Sequence, residues 1–295
     1  MHQKIKQLLC YVVIIILLPY VITVFINGPS IVSSSHVDEA HVKVKADSGE
    51  IKVPVEEYCI GILAKEIPVF YEDEALRAQA ILVRTDVYSK MGAQGSGAVL
   101  EGEFLSRKQM EEMWGTSHYA ANYERLEDAW RSTKGQVVTY DEKLAKTPFF
   151  RLSNGSTRDG MEALGSEEYP YLKIVDCPLD IEASEQIQTR TVEDMDVEVA
   201  AVDTAGYVLS VRVGEETVSG EEFRNNYHLV SSCFTFQKYD GKLRITTRGI
   251  GHGLGMSQHT ANEMAKAGQD AASILQYFFA GTQLKEVAEI VAVSE

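Results

Sequence analysis

Two prolines, Pro54 and Pro68, bracket a stretch whose apolar residues recur at helical spacing. Pro54 suits a first helical position, where its missing N–H is no loss. Pro68 cannot continue a helix and biases Ile67 towards extended backbone. Between them Val55, Cys59, Ile62 and Leu63 form one apolar stripe, and Glu66 falls four residues after Ile62 on the same stripe. A carboxylate at the end of such a stripe is predicted to be partly desolvated, which disfavours the ionised form and is the profile of a general acid. The plainer alternative has Glu66 leaving the last turn for solvent, and the segment alone does not separate the two.

A second helix is predicted over Glu74–Tyr88, with Leu76, Ala80, Val83 and Val87 on one face, Asp73 as N-cap, and Arg77 and Arg84 seven apart on another face. The short connection from Val69 to Glu72 should fold it back on the first. Arg84 is then a candidate for positioning substrate or orienting the Glu66 carboxyl. Its other reading is an ordinary surface arginine.

The chain before this pair sets the compartment. Lys4 and Lys6 precede an apolar run from Leu8 to Ile26, which as a helix would be about 28 Å long. No Lys or Arg occurs between Lys6 and Lys43, so the positive-inside rule predicts a cytoplasmic tail over 1–7, a single span over 8–26 and everything later outside the cell membrane. A cleaved signal peptide is the competing reading; the run exceeds the usual apolar region and no Ala-x-Ala site follows. Residues 27–50, with Gly28, Pro29 and the Ser33-Ser34-Ser35 cluster, read as a polar linker. The folded part is then 51–295, enough for one large domain or two lobes with a cleft between them.

Composition narrows the partners. A formal net charge of −15 with no opposing basic stripe argues against nucleic acid. Cys59, Cys177 and Cys233 follow the expected span, an odd number that permits at most one bridge. No Cys-x-x-Cys pair occurs, so a thiol redox role has little support.

Helices are predicted over Ser106–Trp114 and Ala120–Thr133, followed by a strand at Val137–Tyr140, a turn at Asp141–Lys143 and a returning strand at Phe149–Phe150. The loop Ser153-Asn154-Gly155-Ser156-Thr157-Arg158-Asp159-Gly160 is dense in hydroxyls, amides and glycines, which suits sugar recognition and equally suits a surface turn. Valines alternate across Glu193–Gly220 as in a small antiparallel sheet. In Arg248–His259, glycines at 249, 251, 253 and 255 allow positive φ or close approach of backbone to a ligand, without the spacing of a dinucleotide or phosphate loop. His252 and His259 could be metal ligands, but lack a third; a hydrogen-bonding or substrate-contacting His252 is the alternative. Ser257 or Thr260 can cap a helix reaching Ala267, and Asp270 begins another.

Ordered along the chain, several motifs resemble the stage II sporulation protein D family of peptidoglycan lytic enzymes. They are Val53-Pro54-Val55-Glu56-Glu57-Tyr58, Ala64-Lys65-Glu66-Ile67-Pro68, and Ala75-Leu76-Arg77-Ala78-Gln79-Ala80 leading to Arg84-Thr85. Lys134-Gly135-Gln136-Val137, Ser219-Gly220-Glu221-Glu222-Phe223-Arg224, Gly251-His252-Gly253-Leu254-Gly255-Met256-Ser257-Gln258 and Ala280-Gly281-Thr282 follow. The resemblance implies an α+β, membrane-anchored ectodomain with two lobes flanking a glycan-binding groove. It implies a lytic transglycosylase that cuts glycan strands, typically peptide-stripped ones, during spore engulfment, with Glu66 as acid and base. Arg84, Ser153, Asn154, Gly155, Ser156, His252, Ser257 and Gln258 would contact the glycan. Peptidoglycan strands and the membrane are the implied partners, and other engulfment proteins stay open as partners. Some members hold zinc through Cys and His in the segment matching Phe150–Gly160; that segment here has neither, so no metal or other cofactor is expected.

A glycosidase that uses water needs two carboxylates, and one stands out here; a transglycosylase can use one twice, with a sugar hydroxyl in place of water. A non-catalytic glycan-binding scaffold, or a hydrolase with Asp159 or Glu162 as second carboxylate, are the other readings. The predicted topology has a direct check. Protease added to intact, wall-stripped cells should degrade the part beyond Ile51, and protection of that part would reverse the orientation.

Overall fold

The first described strand, β1 (His41–Ala46), lies inside the stretch predicted as a linker. The computed structural model describes residues 41–46, 49–92, 95 and 98–287, so the expected tail and span lie outside the described residues. Among the described residues no helix is long and apolar enough to cross a membrane. Within His41-Val42-Lys43-Val44, charge and valine alternate, and the two valines are buried against the body while the lysines face out. Average polarity suggested a tether, whereas the period of two builds a half-buried strand; folding therefore starts before Ile51. β1 pairs antiparallel with β2 (Gly49–Pro54) and parallel with β3 (Val99–Leu100).

Helix α1 (Val55–Glu66) starts directly after Pro54 and ends where Ile67 turns extended before Pro68. Helix α2 (Asp73–Met91) returns against it, with Ala75, Leu76, Ala78, Ala80, Ile81, Leu82, Val83 and Val87 buried. Helix α3 (Arg107–Trp114) carries a complete capping box between Ser106 and Gln109, and α4 (Thr116–Ser132) packs on α2.

Strand β4 (Gln136–Tyr140) turns through Asp141 and Glu142, both at positive φ, into β5 (Lys143–Leu144). The predicted return through Phe149–Phe150 is corrected: that pair, β6, instead lies parallel to β13 (Met256–Ser257), while the other side of β4 takes β14 (Gln283–Glu286). The local strand β5 and the distant β14 occupy both edges of β4, which leaves β6 to pair with β13.

Helix α5 (Gly160–Leu164) precedes a 3-10 turn at Pro178–Glu182. The β half contains β7 (Ile187–Glu193), β8 (Val197–Val202), β9 (Val208–Val213) and β10 (Glu216–Ser219), then helix α6 (Gly220–Asn226), β11 (Cys233–Tyr239) and β12 (Lys242–Arg248). The predicted valine-rich sheet is the meander β8-β9-β10, and β11-β12-β7 forms a second antiparallel sheet. Helices α7 (Gln258–Lys266) and α8 (Ala271–Phe278) follow; Ser257 caps the first and Asp270 the second.

The architecture is α+β with two apolar clusters. Ala78, Ile81 and Leu82 of α2 meet Val138, Met256, Ile274, Leu275 and Phe278 in one; Val208, Val211, Phe223, Phe234, Leu243 and Ile245 form the other.

Arg84 belongs to this framework. It is fully buried, its guanidinium 3.8 Å from the Trp130 ring centroid, and it donates to the carbonyls of Trp130 (2.7 Å), Thr133 (2.7 Å) and Gln136 (3.3 Å). Trp130 and Thr133 sit at the C-terminal end of α4, the negative end of its dipole, and Gln136 begins β4. Neither predicted role survives: Arg84 contacts no open surface and caps α4 from within. Arg84→Met keeps the bulk but removes the buried, charge-assisted hydrogen bonds that join the end of α4 to β4, so it should cost about 3 kcal/mol of stability. Chemical denaturation checks this, and an unchanged midpoint refutes it.

Candidate functional site

Glu66 ends α1, and its backbone carbonyl is one of the acceptors that a helix C-terminus leaves open. Gln258, the first residue of α7, is buried and donates its side-chain amide to that carbonyl at 2.9 Å and to the Gln79 amide oxygen at 3.1 Å. The contact ties together residues far apart in sequence and fixes the last turn of α1. Gln258 therefore touches the backbone of the candidate acid, where the resemblance implied a contact with glycan.

The Glu66 side chain is about 40% exposed and stands on the wall of a cleft of about 420 Å³. That volume lies within the range of small-ligand sites. The desolvation predicted from the apolar stripe is not what the structure has, because the last turn carries the carboxylate out of the packed face. Tyr58, Ile62 and Lys65 of α1, Asp86 and Lys90 of α2, Gly102 and Glu103, the run Lys146–Phe149, and His252 complete the lining. Lys65 lies 3.9 Å from the Glu66 carboxylate and also pairs with Glu103; Lys90 pairs with Asp86 at 2.6 Å. Burial pushes the Tyr58 phenol up to about 12, so it stays a hydrogen-bonding neutral group.

His252 shares the cleft with Glu66. Its Nδ1 accepts the Leu254 N–H at 3.1 Å, which leaves Nε2 to carry the proton. Burial drives its pKa down to about 4, with Glu221 opposing and Arg224 and Arg158 assisting, so the ring is neutral at pH 7. The loop that bears it is built from glycine. Gly253 and Gly255 lie at φ 78° and 81°, and a Cβ would sit 2.3 Å from the Tyr207 ring at the first and 2.0 Å from the Pro148 carbonyl at the second. The close approach is to the protein's own backbone and core. Arg158, nearly buried, holds the loop from beneath by donating to the His252 carbonyl (3.1 Å), Asp203 (2.6 Å) and Glu221 (3.2 Å).

The polar loop is likewise tied inward. Ser153 is buried; its backbone N–H donates to Asp180 at 2.8 Å and its hydroxyl accepts from Gly155. The Asn154 amide donates to the Ala205 carbonyl (2.8 Å) and Cys233 sulfur, its backbone N–H donates to the Tyr207 hydroxyl, and the Ser156 carbonyl accepts that hydroxyl. Gly155 packs against Ile181. None of Ser153, Asn154, Gly155 and Ser156 lines the Glu66 cleft, and neither does buried Ser257. Of the sequence-predicted site residues, the cleft brings together Glu66 and His252, with Gln258 behind Glu66.

Asp180 is the feature sequence reading missed. This fully buried carboxylate accepts from the hydroxyls of Ser257 (2.7 Å) and Thr260 (2.7 Å), the Ser153 N–H, and His259 Nδ1 (3.0 Å). Burial alone would raise its pKa, but hydrogen bonds led by His259 and Ser153 outweigh it and hold the carboxyl below its usual range. No motif marks Asp180; only the turn at Pro178–Glu182 presents it. Asp159 and Glu162, the other carboxylates singled out in the sequence, work elsewhere: Asp159 caps α5 and pairs with Lys173, and Glu162 accepts from Thr204. Asp86 and Glu103 line the cleft instead. Cys59, Cys177 and Cys233 are all buried, and Cys177 and Cys233 are free thiols. Among the described residues no group of three His, Cys, Asp or Glu is arranged to hold a metal.

The cleft sets a carboxylate, lysines and a neutral imidazole side by side on an α+β frame. Comparison with known proteins gives the family. Residues 49–140 match the family model described as stage II sporulation protein. The chain is 32% identical over 259 residues to stage II sporulation protein D of Bacillus amyloliquefaciens, spanning 79% of this chain and 75% of that one. It is 31% identical to the protein of the same name from Bacillus subtilis strain 168, with the same shares covered. The amidase enhancer of Bacillus subtilis is 23% identical over 294 residues, spanning 76% of this chain and 40% of that one. This chain belongs to the stage II sporulation protein D family.

The Asp180–His259 pair predicts a pH signature. The hydrogen bond to Asp180 raises the His259 pKa above its ordinary 6.5, with burial opposing. A raised histidine contributes stability that is fully present below 6.5 and is lost as pH rises through the folded value. The depressed Asp180 pKa contributes stability present above its ordinary 3.8 and lost as pH falls through the folded value. Denaturation midpoints should therefore fall as pH rises from 6.5 through the raised folded value of His259, and His259→Asn should flatten that slope. Equal slopes in both proteins refute the coupling.

Proposed function

We propose that this chain is a lytic transglycosylase that cleaves the glycan strands of peptidoglycan during spore engulfment, anchored in the cell membrane by residues 8–26 with its catalytic part outside. The observation that carries the reading is the Glu66 carboxylate, standing on the cleft wall with its own backbone pinned by Gln258 and sharing the cleft with His252. Family membership, with relatives named for stage II of sporulation, supports the setting.

In this mechanism protonated Glu66 gives its proton to the glycosidic oxygen as the bond to the anomeric carbon breaks. The resulting carboxylate then removes a proton from a hydroxyl of the muramic acid, and that oxygen closes on the anomeric carbon. One carboxyl serves twice and is regenerated, no water is consumed, and the product ends in an anhydro-muramic ring. Neutral His252, its ring hydrogen-bonded to the Phe149 backbone, lines the cleft beside Glu66 as an uncharged wall. Lys65 stands 3.9 Å from the Glu66 carboxylate on the same wall.

Two carboxylates besides Glu66 on the cleft wall, Asp86 and Glu103, keep a hydrolytic reading in view, since either could activate water. Glu103 pairs with Lys65 and Asp86 with Lys90. Product mass separates the reactions: hydrolysis adds one water and leaves an end that borohydride reduces. The purified ectodomain should release only anhydro-ended fragments, and Glu66→Gln should lower turnover by about 10²–10⁴-fold with its melting temperature kept. Reducing ends carrying oxygen from labelled water would overturn the transglycosylase. Wild-type turnover by Glu66→Gln would overturn the role of Glu66.

A further inference from the structure

The charges in the cleft do not cancel in pairs. Lys65 is engaged by Glu66 and Glu103, and Lys90 by Asp86. Among the described residues, Lys146 is the cleft lysine with no carboxylate partner; its ammonium lies 5.0 Å from the Tyr169 ring centroid and the side chain is exposed. The segment beneath it is fixed. Its N–H donates to the Tyr171 hydroxyl at 2.7 Å, its carbonyl accepts that hydroxyl at 3.3 Å, and buried Ala145 and Thr147 flank it, Thr147 donating to the Leu82 carbonyl. A cation is thus presented to the cleft from rigid backbone, in a protein whose formal charge is −15. Such a cation suits an anionic group on the ligand.

We propose that Lys146 binds the lactyl carboxylate of muramic acid and so makes the site select peptide-free glycan. The inference rests on the glycan reading above. On an unmodified strand of alternating amino sugars the lactyl carboxylate is the one anionic group, carried directly on a sugar ring. A stem peptide converts it into a neutral amide, removing the charge and adding bulk at the same position. The carboxylates of a stem lie further from the ring, so they do not replace it.

Binding separates this proposal from catalysis. Peptide-free strands, and the same strands with lactyl carboxylates converted to primary amides, are titrated into the Glu66→Gln ectodomain, which holds glycan without cutting it. With Lys146 present the carboxylate strand should bind about 3- to 10-fold tighter than the amide strand, a preference that weakens with salt. Adding Lys146→Met should abolish the preference by weakening only the carboxylate strand, and Lys146→Arg should restore it. The same discrimination in the Met variant, or none in its Lys146 parent, overturns the proposal. Should the wild-type protein prove unable to cut either strand, the transglycosylase reading fails while the binding preference still decides Lys146. Since the side chain is exposed, the melting temperature of Lys146→Met should match its parent; the Arg variant preserves the charge test if it does not.

Discussion

A buried carboxylate organises the parts that meet at the cleft. Asp180 is out of reach of solvent, and a charge so placed is tolerated only when several donors surround it. Its four donors come from the polar loop at Ser153 and from the start of α7 at Ser257, His259 and Thr260. Fixing Ser257 fixes the next residue, Gln258, and Gln258 in turn holds the carbonyl of Glu66. The proposed acid is therefore positioned through its backbone by a network lying beneath it, and the carboxylate itself remains open to the cleft.

The glycine run from 249 to 255 solves a related problem. His252 must reach the cleft while the chain on either side passes against Pro148, Phe150 and the ring of Tyr207. Side chains at Gly251, Gly253 or Gly255 would collide with those groups, so the run is needed for internal packing. Arg158 then neutralises buried Asp203 and spends a further donor on the His252 carbonyl. The motif once open to a ligand-cradling reading is a packing device that delivers one imidazole.

Arg84 and the residues of the Ser153–Ser156 loop illustrate how polar side chains mislead when judged by type. Arg84, Ser153 and Asn154 carry polar atoms suited to a sugar, and each uses them on the protein's own backbone. Arg84 closes the end of α4, while Asn154 spans from its loop to the turn before β9. A buried polar group must find a partner, and in these places the nearest partner is a main-chain carbonyl.

The sequence by itself determined the elements whose periodicity is local. The Pro54–Pro68 bracket with Glu66 at its end, α2, the valine-rich meander and the capped helices α7 and α8 all follow from spacing of apolar residues and from turn chemistry, because helix and strand periods are set over a few residues. The family was legible too, since its motifs recur in order. Tertiary structure alone decided what those residues face. The exposure of Glu66, the burial of Arg84, the pairing of β6 with β13 and the choice of Asp180, Asp86, Glu103 and Lys146 as neighbours depend on contacts between distant segments. No local period encodes which donor meets which acceptor across such distances, and that matching is what makes the cleft.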